Sequence, residues 1–204
     1  MPKQKKKSPR ESVRNRMEVD ERRAQLLALG LELFSQSPYD ELKIDVVAEK
    51  AGISKGLLYH YFPTKRAFYV GVLRAAAQDL LQITAFDEES PPLERAQQGI
   101  DAYLRYVETH RVAYVALLRG GVGFDAEVSA VIEDTRTQFL ARIIQGMGVT
   151  PLPPLWRLAM RGWIGFVEAA SIEWAASTEV SAEELRGLLL ANLLATVSAM
   201  TSQG

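Results

Sequence analysis

The sequence contains no cysteine in its 204 residues. Disulfides, thiol catalysis and cysteine-ligated metal sites are therefore excluded, and the composition favours a reducing compartment, so the expected location is the cytoplasm. Histidine is also scarce, with two residues, and neither stands at a spacing from carboxylates that is typical of a metal site. We expect no bound metal and no cofactor.

Long uninterrupted hydrophobic runs are missing as well. The basic N-terminus is not followed by the apolar stretch of a secretory signal. The most apolar segment, residues 155–176, is interrupted by Arg157, Arg161, Glu168 and Glu173, whose charges are costly inside a bilayer. No P-loop, nucleophile elbow or zinc-protease motif occurs. These absences predict a protein that neither crosses a membrane nor has catalytic residues, and hence no enzyme.

What is present is a strong asymmetry of charge, which the overall net charge of -1 conceals. Residues 1–74 hold 15 lysines and arginines against 9 acidic residues, a net charge of +6, whereas residues 75–204 hold 9 against 16, a net charge of -7. A basic module on an acidic body indicates a polyanionic partner such as nucleic acid. The alternative is a basic tail that is merely solvated.

Apolar residues recur every three or four positions through most of the chain, and no segment of useful length has the two-residue period of a strand. The pattern predicts an all-α protein. Two short helices are expected around Gly52, where a left-handed turn is easiest for glycine, and Ser54 is placed to cap the second of them. Two short helices joined in this way are typical of a helix-turn-helix, whose second helix enters the major groove of DNA.

The helical phase of this second helix separates two faces. Ile53, Leu58 and Phe62 form an apolar edge that we expect to face the protein. The side chains expected to face DNA are Ser54, Lys55, Gly56, Leu57, Tyr59 and His60.

The segment AEKAGISKGLLYHYFPTKRAFY resembles the DNA-binding signature of the TetR (tetracycline repressor) family of transcriptional regulators. The resemblance covers residues 24–73 and implies a helical homodimer in which Tyr59 and Lys65 hold phosphates while the recognition helix reads bases. Three positions depart from the family pattern. Lys43 and Leu57 stand where threonine is common, and Arg66 replaces an acidic residue; Lys43 can still reach a phosphate as a point charge.

Residues 1–15 are polar and lysine-rich and lack apolar periodicity, so we expect a basic arm there that is disordered when free. The helix-turn-helix domain is expected over residues 16–74. For residues 75–204 the resemblance implies a helical domain for ligand binding and dimerisation. Because helix 155–176 is apolar on most of its circumference, we predict that it and helix 181–200 pair with their twofold copies in a four-helix interface.

We expect the protein to be a repressor that binds a pseudo-palindromic operator and is released by a small hydrophobic effector. Polar or aromatic side chains on otherwise apolar helices are suited to orienting such a guest. The candidates are Tyr103, Tyr106, His110, Tyr114, Arg119, Trp163 and Glu168. The alternative for each, which the pattern of single residues favours, is a satisfied position in the core or an interface.

The sequence is also compatible with a different function. A helical protein that binds small molecules or lipids and has no DNA role would explain the apolar body equally well. It would leave the basic helix-turn-helix unexplained, and salt-sensitive DNA binding separates the two hypotheses.

Overall fold

The computed structural model describes residues 9–37, 39–85, 89–119, 126–148, 153–177 and 179–202, with side chains from residue 19 onward. Within these ranges all regular structure is α-helical, which confirms the predicted fold class. The helices are α1 (Pro9–Phe34), α2 (Ile44–Lys50), α3 (Lys55–Tyr61), α4 (Lys65–Ile83), α5 (Pro92–Thr109), α6 (Arg111–Arg119), α7 (Ala126–Met147), α8 (Pro154–Ala176) and α9 (Ala182–Thr201).

The first four helices enclose one hydrophobic core. Gly30 of α1 lies where this helix crosses α4, and a Cβ atom added there would be 2.6 Å from the Phe68 ring and would also overlap Val72. Glycine at this position therefore allows α1 and α4 to pack closely. Phe68 and Val72 are almost fully buried at the crossing, so α4 is fixed firmly against α1.

The other core lies among α5, α6, α8 and α9 and includes Val107, Trp174 and Leu189. Helix α7 packs against the core of the N-terminal helices, where its Val128 is fully buried. A capping box begins α9, in which Ser181 Oγ accepts from the Glu184 amide and the Glu184 carboxylate accepts from the Ser181 amide. This cap agrees with the sequence pattern.

Two helices extend across boundaries of the division made on sequence, and that division stays a prediction. Helix α1 begins at Pro9, within the segment expected to be unstructured, while residues 1–8 of the predicted arm lie outside the described residues. The many glutamates and arginines that follow favour helix even without an apolar stripe. Helix α4 runs from Lys65 to Ile83 and so crosses the proposed boundary at residue 74.

None of the helices in the described ranges has both the length and the apolar character that a membrane span requires.

Candidate nucleic-acid interface and internal cavity

Helix α3 is anchored by its apolar edge. Leu58 is fully buried, Phe62 is nearly so, and Ile53 packs partly buried against the same core. Gly52 has a φ of 64°, and the Ile53 amide donates to the Ala48 carbonyl at 3.0 Å. This left-handed turn fixes the angle between α2 and α3, and the Ser54 hydroxyl caps α3 by accepting from the Leu57 amide at 3.1 Å.

The opposite edge of α3 is open. Lys55, Gly56 and His60 are exposed, and Leu57 is 41% exposed. Among the described residues the nearest side-chain atom to a Cβ placed at Gly56 is the Ser54 hydroxyl oxygen at 3.9 Å, so no described part of the chain fills the space in front of Gly56. We call Lys55, Gly56, Leu57 and His60 the outer face of α3.

Lys55 is also bound within the protein. Its ammonium group forms an ion pair with Asp45 of α2 at 2.8 Å, and this hydrogen bond raises the pKa of Lys55. The pair is exposed and therefore of small energetic value. It orients Lys55 across the two helices while leaving the remaining ammonium hydrogens available to an outside acceptor.

Tyr59 and Lys65 are held at the sides of this surface. Tyr59 is half-buried and packs against the N-terminal core, in contrast to the fully outward orientation expected from helical phase. The ring of Tyr59 thus contributes to packing. Lys65, in the first turn of α4, lies with its ammonium group 4.5 Å from the centre of the Tyr39 ring and 3.4 Å from the Asp40 carbonyl.

Lys43 is exposed at the N-cap of α2, where its side chain forms no cap. The residues that the sequence predicts to contact DNA are Lys43, Ser54, Tyr59, Lys65 and the four residues of the outer face of α3. All of them lie on or beside α2, α3 and the start of α4. Their contact with DNA stays a prediction.

The C-terminal helices, together with α4, enclose a cavity of about 600 Å³, a size suited to a small-molecule ligand. Its walls are mostly aliphatic and aromatic. Six of the seven side chains that the sequence selects line it, namely Tyr103, Tyr106, His110, Tyr114, Trp163 and Glu168. Arg119 is the last residue of α6, and its side chain lies outside the described part of the chain. That any of these residues contacts an effector stays a prediction.

Four polar side chains meet at one side of the cavity, and we call them the inner polar cluster: Tyr103, Tyr114, Arg136 and Glu168. The two tyrosine hydroxyls are hydrogen-bonded to each other. Arg136 Nε donates to both Glu168 oxygens at 2.9 and 3.0 Å, and its Nη2 donates at 2.6 Å. Burial raises the pKa of Tyr103 to about 12 and that of Tyr114 well above 10, so both phenols are uncharged at neutral pH.

Two further cavity residues bind helices of the N-terminal domain. Tyr106 Oη donates to the Ala76 carbonyl of α4 at 3.2 Å. His110 Nδ1 lies 3.4 Å from the Ser35 hydroxyl, just beyond the end of α1. The cavity wall is therefore in direct contact with the helices that position α3.

Several cavity residues were missed by sequence reasoning, among them Arg95, Arg136, Phe139, Arg142 and Trp156. The three arginines lie on α5 and α7, which also carry other charged residues, so nothing local distinguishes a cavity arginine from a solvated one. The Arg136–Glu168 pair joins α7 to α8 across 32 residues of sequence, and only the packing of these helices brings it together.

Helices α8 and α9 have exposed apolar residues. Leu158 is 71% exposed, and Leu188 and Leu194 are about half exposed. No described residue lies within 4 Å of a Cβ placed at Gly162 or Gly165, and these glycines, four and seven positions after Leu158, share its side of α8. We call Leu158, Gly162, Gly165, Leu188 and Leu194 together the α8–α9 face.

Among the described residues there is no group of three or more histidine or carboxylate side chains arranged to hold a metal ion.

Comparison with known proteins gives matches to two family models that together span most of the chain. The description "Bacterial regulatory proteins, tetR family" applies to residues 26–72, and "Tetracyclin repressor-like, C-terminal domain" applies to residues 92–196. The first range contains the helix-turn-helix, and the second contains most of the cavity and the α8–α9 face.

Individual relatives agree with these matches. The transcriptional activator FasR of Mycolicibacterium smegmatis is 27% identical over 121 residues, which cover 58% of this chain and 55% of FasR. The regulator RutR of Escherichia coli K12 is 27% identical over 67% of this chain and 68% of RutR. The chain thus spans about half of FasR and two thirds of RutR. A TetR-family regulator from Streptomyces coelicolor has 30% identity and a TM-score of 0.84, with 91% of this chain and 84% of that one covered.

Proposed function

The chain belongs to the TetR family, whose members are transcriptional regulators and not enzymes, and we propose that it is a cytoplasmic homodimeric repressor released from its operator by a small hydrophobic effector. The observation that carries the DNA role is the division of α3 into a buried edge and an open outer face. Leu58 and Phe62 fix the helix, so that Lys55 and His60 project from a rigid support.

The α8–α9 face supports the proposed dimer. Exposed leucines on a helix surface lose contact with water when they pair with a second copy, and the adjacent glycines permit close approach of backbones. A twofold dimer presents two copies of α3, and a pseudo-palindromic site requires them about 34 to 36 Å apart or at a multiple of that distance.

Helix α4 supports the proposed coupling. Leu73, Ala76 and Leu80 of α4 line the cavity, while the N-terminus of α4 at Lys65 follows the end of α3 after only three residues. A guest that changes the tilt of α4 changes the separation of the two recognition helices. Thermodynamic linkage then requires that operator DNA weaken effector binding by the same factor.

Footprinting on the DNA that flanks the gene for this protein tests the DNA role. We expect protection of an inverted repeat. Lys65→Ala should weaken binding at all salt concentrations and reduce the slope of log K against log salt by about 1 per subunit, because one phosphate contact is lost.

Arg157→Ala, which removes the same charge from an exposed position of α8, is the matched control and should retain wild-type binding. Equal affinity and equal salt slopes for Lys65→Ala and wild type would contradict the assigned role of Lys65. The absence of any protected repeat at all would favour the alternative of a ligand-binding protein without a DNA role.

A further inference from the structure

The charges of the inner polar cluster are balanced within the protein. Arg136 makes three hydrogen bonds to the Glu168 carboxylate, which brings its pKa above the ordinary value for arginine. Glu133 accepts from Arg136 at 3.3 Å and from Arg161 at 2.9 Å. Glu133 and Arg161 lie outside the cavity lining, so the charged side chains of the inner polar cluster are Arg136 and Glu168, and the cluster has no net charge.

The other titratable groups nearby are neutral. Tyr103 and Tyr114 remain protonated because of their burial. Burial lowers the pKa of His110, and this favours the uncharged imidazole at neutral pH. A charged guest on this side would lie in an apolar cavity without an unpaired ion of opposite sign, and the loss of its hydration would not be compensated.

Two more arginines line the cavity, Arg95 near the start of α5 and Arg142 on α7. Arg95 Nη2 donates to the Gly146 carbonyl at 2.9 Å, and Arg142 Nη1 donates to the Leu81 carbonyl. Both carbonyls belong to the last turns of helices, α7 and α4, where the helix dipole has its negative end. These contacts partly offset the charge of the two guanidinium groups and hold them against the wall.

Hydrogen-bonding capacity nevertheless remains in the inner polar cluster. Two hydroxyl groups share one hydrogen bond between Tyr103 and Tyr114, so one hydroxyl hydrogen and several lone pairs are left over. The fully buried Ser171 hydroxyl lies near enough to Tyr103 to affect its pKa but makes no hydrogen bond of normal geometry. A single polar group on a guest can use this capacity.

We infer that the effector is an uncharged, mostly apolar molecule with one hydroxyl or carbonyl group, which hydrogen-bonds to the Tyr103–Tyr114 pair beside the closed Arg136–Glu168 ion pair. This inference rests on the proposed role of the cavity as the effector site. We expect the site to select against charged amphiphiles, because Arg136 and Glu168 neutralise each other.

Three probes that differ only in the charge of the head group test this selectivity: 1-dodecanol, dodecanoate and dodecyltrimethylammonium, each below its critical micelle concentration. Trp156 and Trp163 line the cavity, so binding can be followed by intrinsic fluorescence without DNA. We expect wild type to bind dodecanol at least about tenfold more tightly than either charged probe. Equal or tighter binding of a charged probe would overturn the inference.

Variants of the ion pair provide the matched comparison. Glu168→Gln leaves Arg136 without its main partner and should raise the affinity for dodecanoate about tenfold or more, while Arg136→Gln should do the same for dodecyltrimethylammonium. The double variant has no net charge change and should again prefer dodecanol. If a single variant fails to fold, the order of affinities for the three probes in wild type and in the double variant still tests the inference. If the Glu168→Gln protein folds but its affinity for dodecanoate does not rise, the inference is contradicted.

The same measurements separate this inference from the proposed function. If wild type protects an operator but binds none of the three probes, the DNA role stands, and the effector site and the inference fall together. If it binds dodecanol selectively but protects no DNA, the regulatory proposal fails while the ligand class stands.

Discussion

His110 links the cavity to the N-terminal domain through a single side chain. Its ring lies 4.5 Å from that of Tyr106, centre to centre, and its Nδ1 atom is within reach of Ser35. Burial, which outweighs the attraction of Asp79, lowers the pKa of His110 below 6.5. The folded protein therefore binds a proton at His110 less readily than the unfolded chain.

The sign of the resulting pH effect follows from this difference. Between the folded pKa and about 6.5 the unfolded state carries more protons, so the free energy of unfolding rises with pH in this window and falls on acidification. We predict that His110→Gln loses less stability than wild type when the pH is lowered from 7 to 5, as measured by urea unfolding at each pH.

A direct titration of the side chain complements the stability measurement. In His60→Gln, His110 is the only histidine of the chain, so its imidazole resonance is assigned without ambiguity. NMR should give a pKa below 6.5. A value at or above 6.5 would show that His110 is not held neutral by burial.

At the scale of an element, α3 combines a structural cap and a proposed DNA contact in one residue, Ser54. Ser54→Ala removes the acceptor for the Leu57 amide and should lower the free energy of unfolding by about 1 kcal/mol. Ser54→Asp keeps a capping acceptor and should retain stability. It also places a negative charge beside the phosphates and should weaken DNA binding roughly tenfold or more.

The pair of variants therefore separates stability from DNA affinity, which unfolding and fluorescence-anisotropy measurements report independently. Tight operator binding by Ser54→Asp would show that the N-terminus of α3 does not approach the DNA backbone.

The helices and turns also show which structural features a local sequence pattern predicts. The turn at Gly52, the Ser54 cap and the Ser181–Glu184 capping box are local, because each depends on residues no more than a few positions apart, and the structure contains all three. The position of Tyr59 is different. Helical phase places it outward, yet its ring packs on the core, because a long side chain at the edge of a short helix can turn toward a neighbouring apolar surface.

At the scale of the whole molecule, the α8–α9 face leads to a prediction of oligomeric state. Leu158→Glu places a charge in the centre of the proposed dimer interface and should convert the protein to a monomer at micromolar concentration in sedimentation velocity. The monomer should bind the operator more weakly, because one recognition helix then binds without the other.

Val112→Glu is the control, since Val112 is also largely exposed, at 47%, but lies on α6. It should sediment as a dimer. If Leu158→Glu remains dimeric, the interface lies elsewhere on the molecule.

The sequence by itself determined the helices, the turn of the helix-turn-helix, the family resemblance and six of the polar and aromatic residues that line the cavity. These depend on local periodicity, capping and composition, which one stretch of chain expresses alone. The tertiary structure decided which charges neutralise one another and what the cavity can accept. The Arg136–Glu168 pair, the Tyr106 bond to α4 and the burial of Val128 of α7 join residues far apart in sequence. Such contacts depend on how helices pack, and helix patterns do not specify which side chains meet.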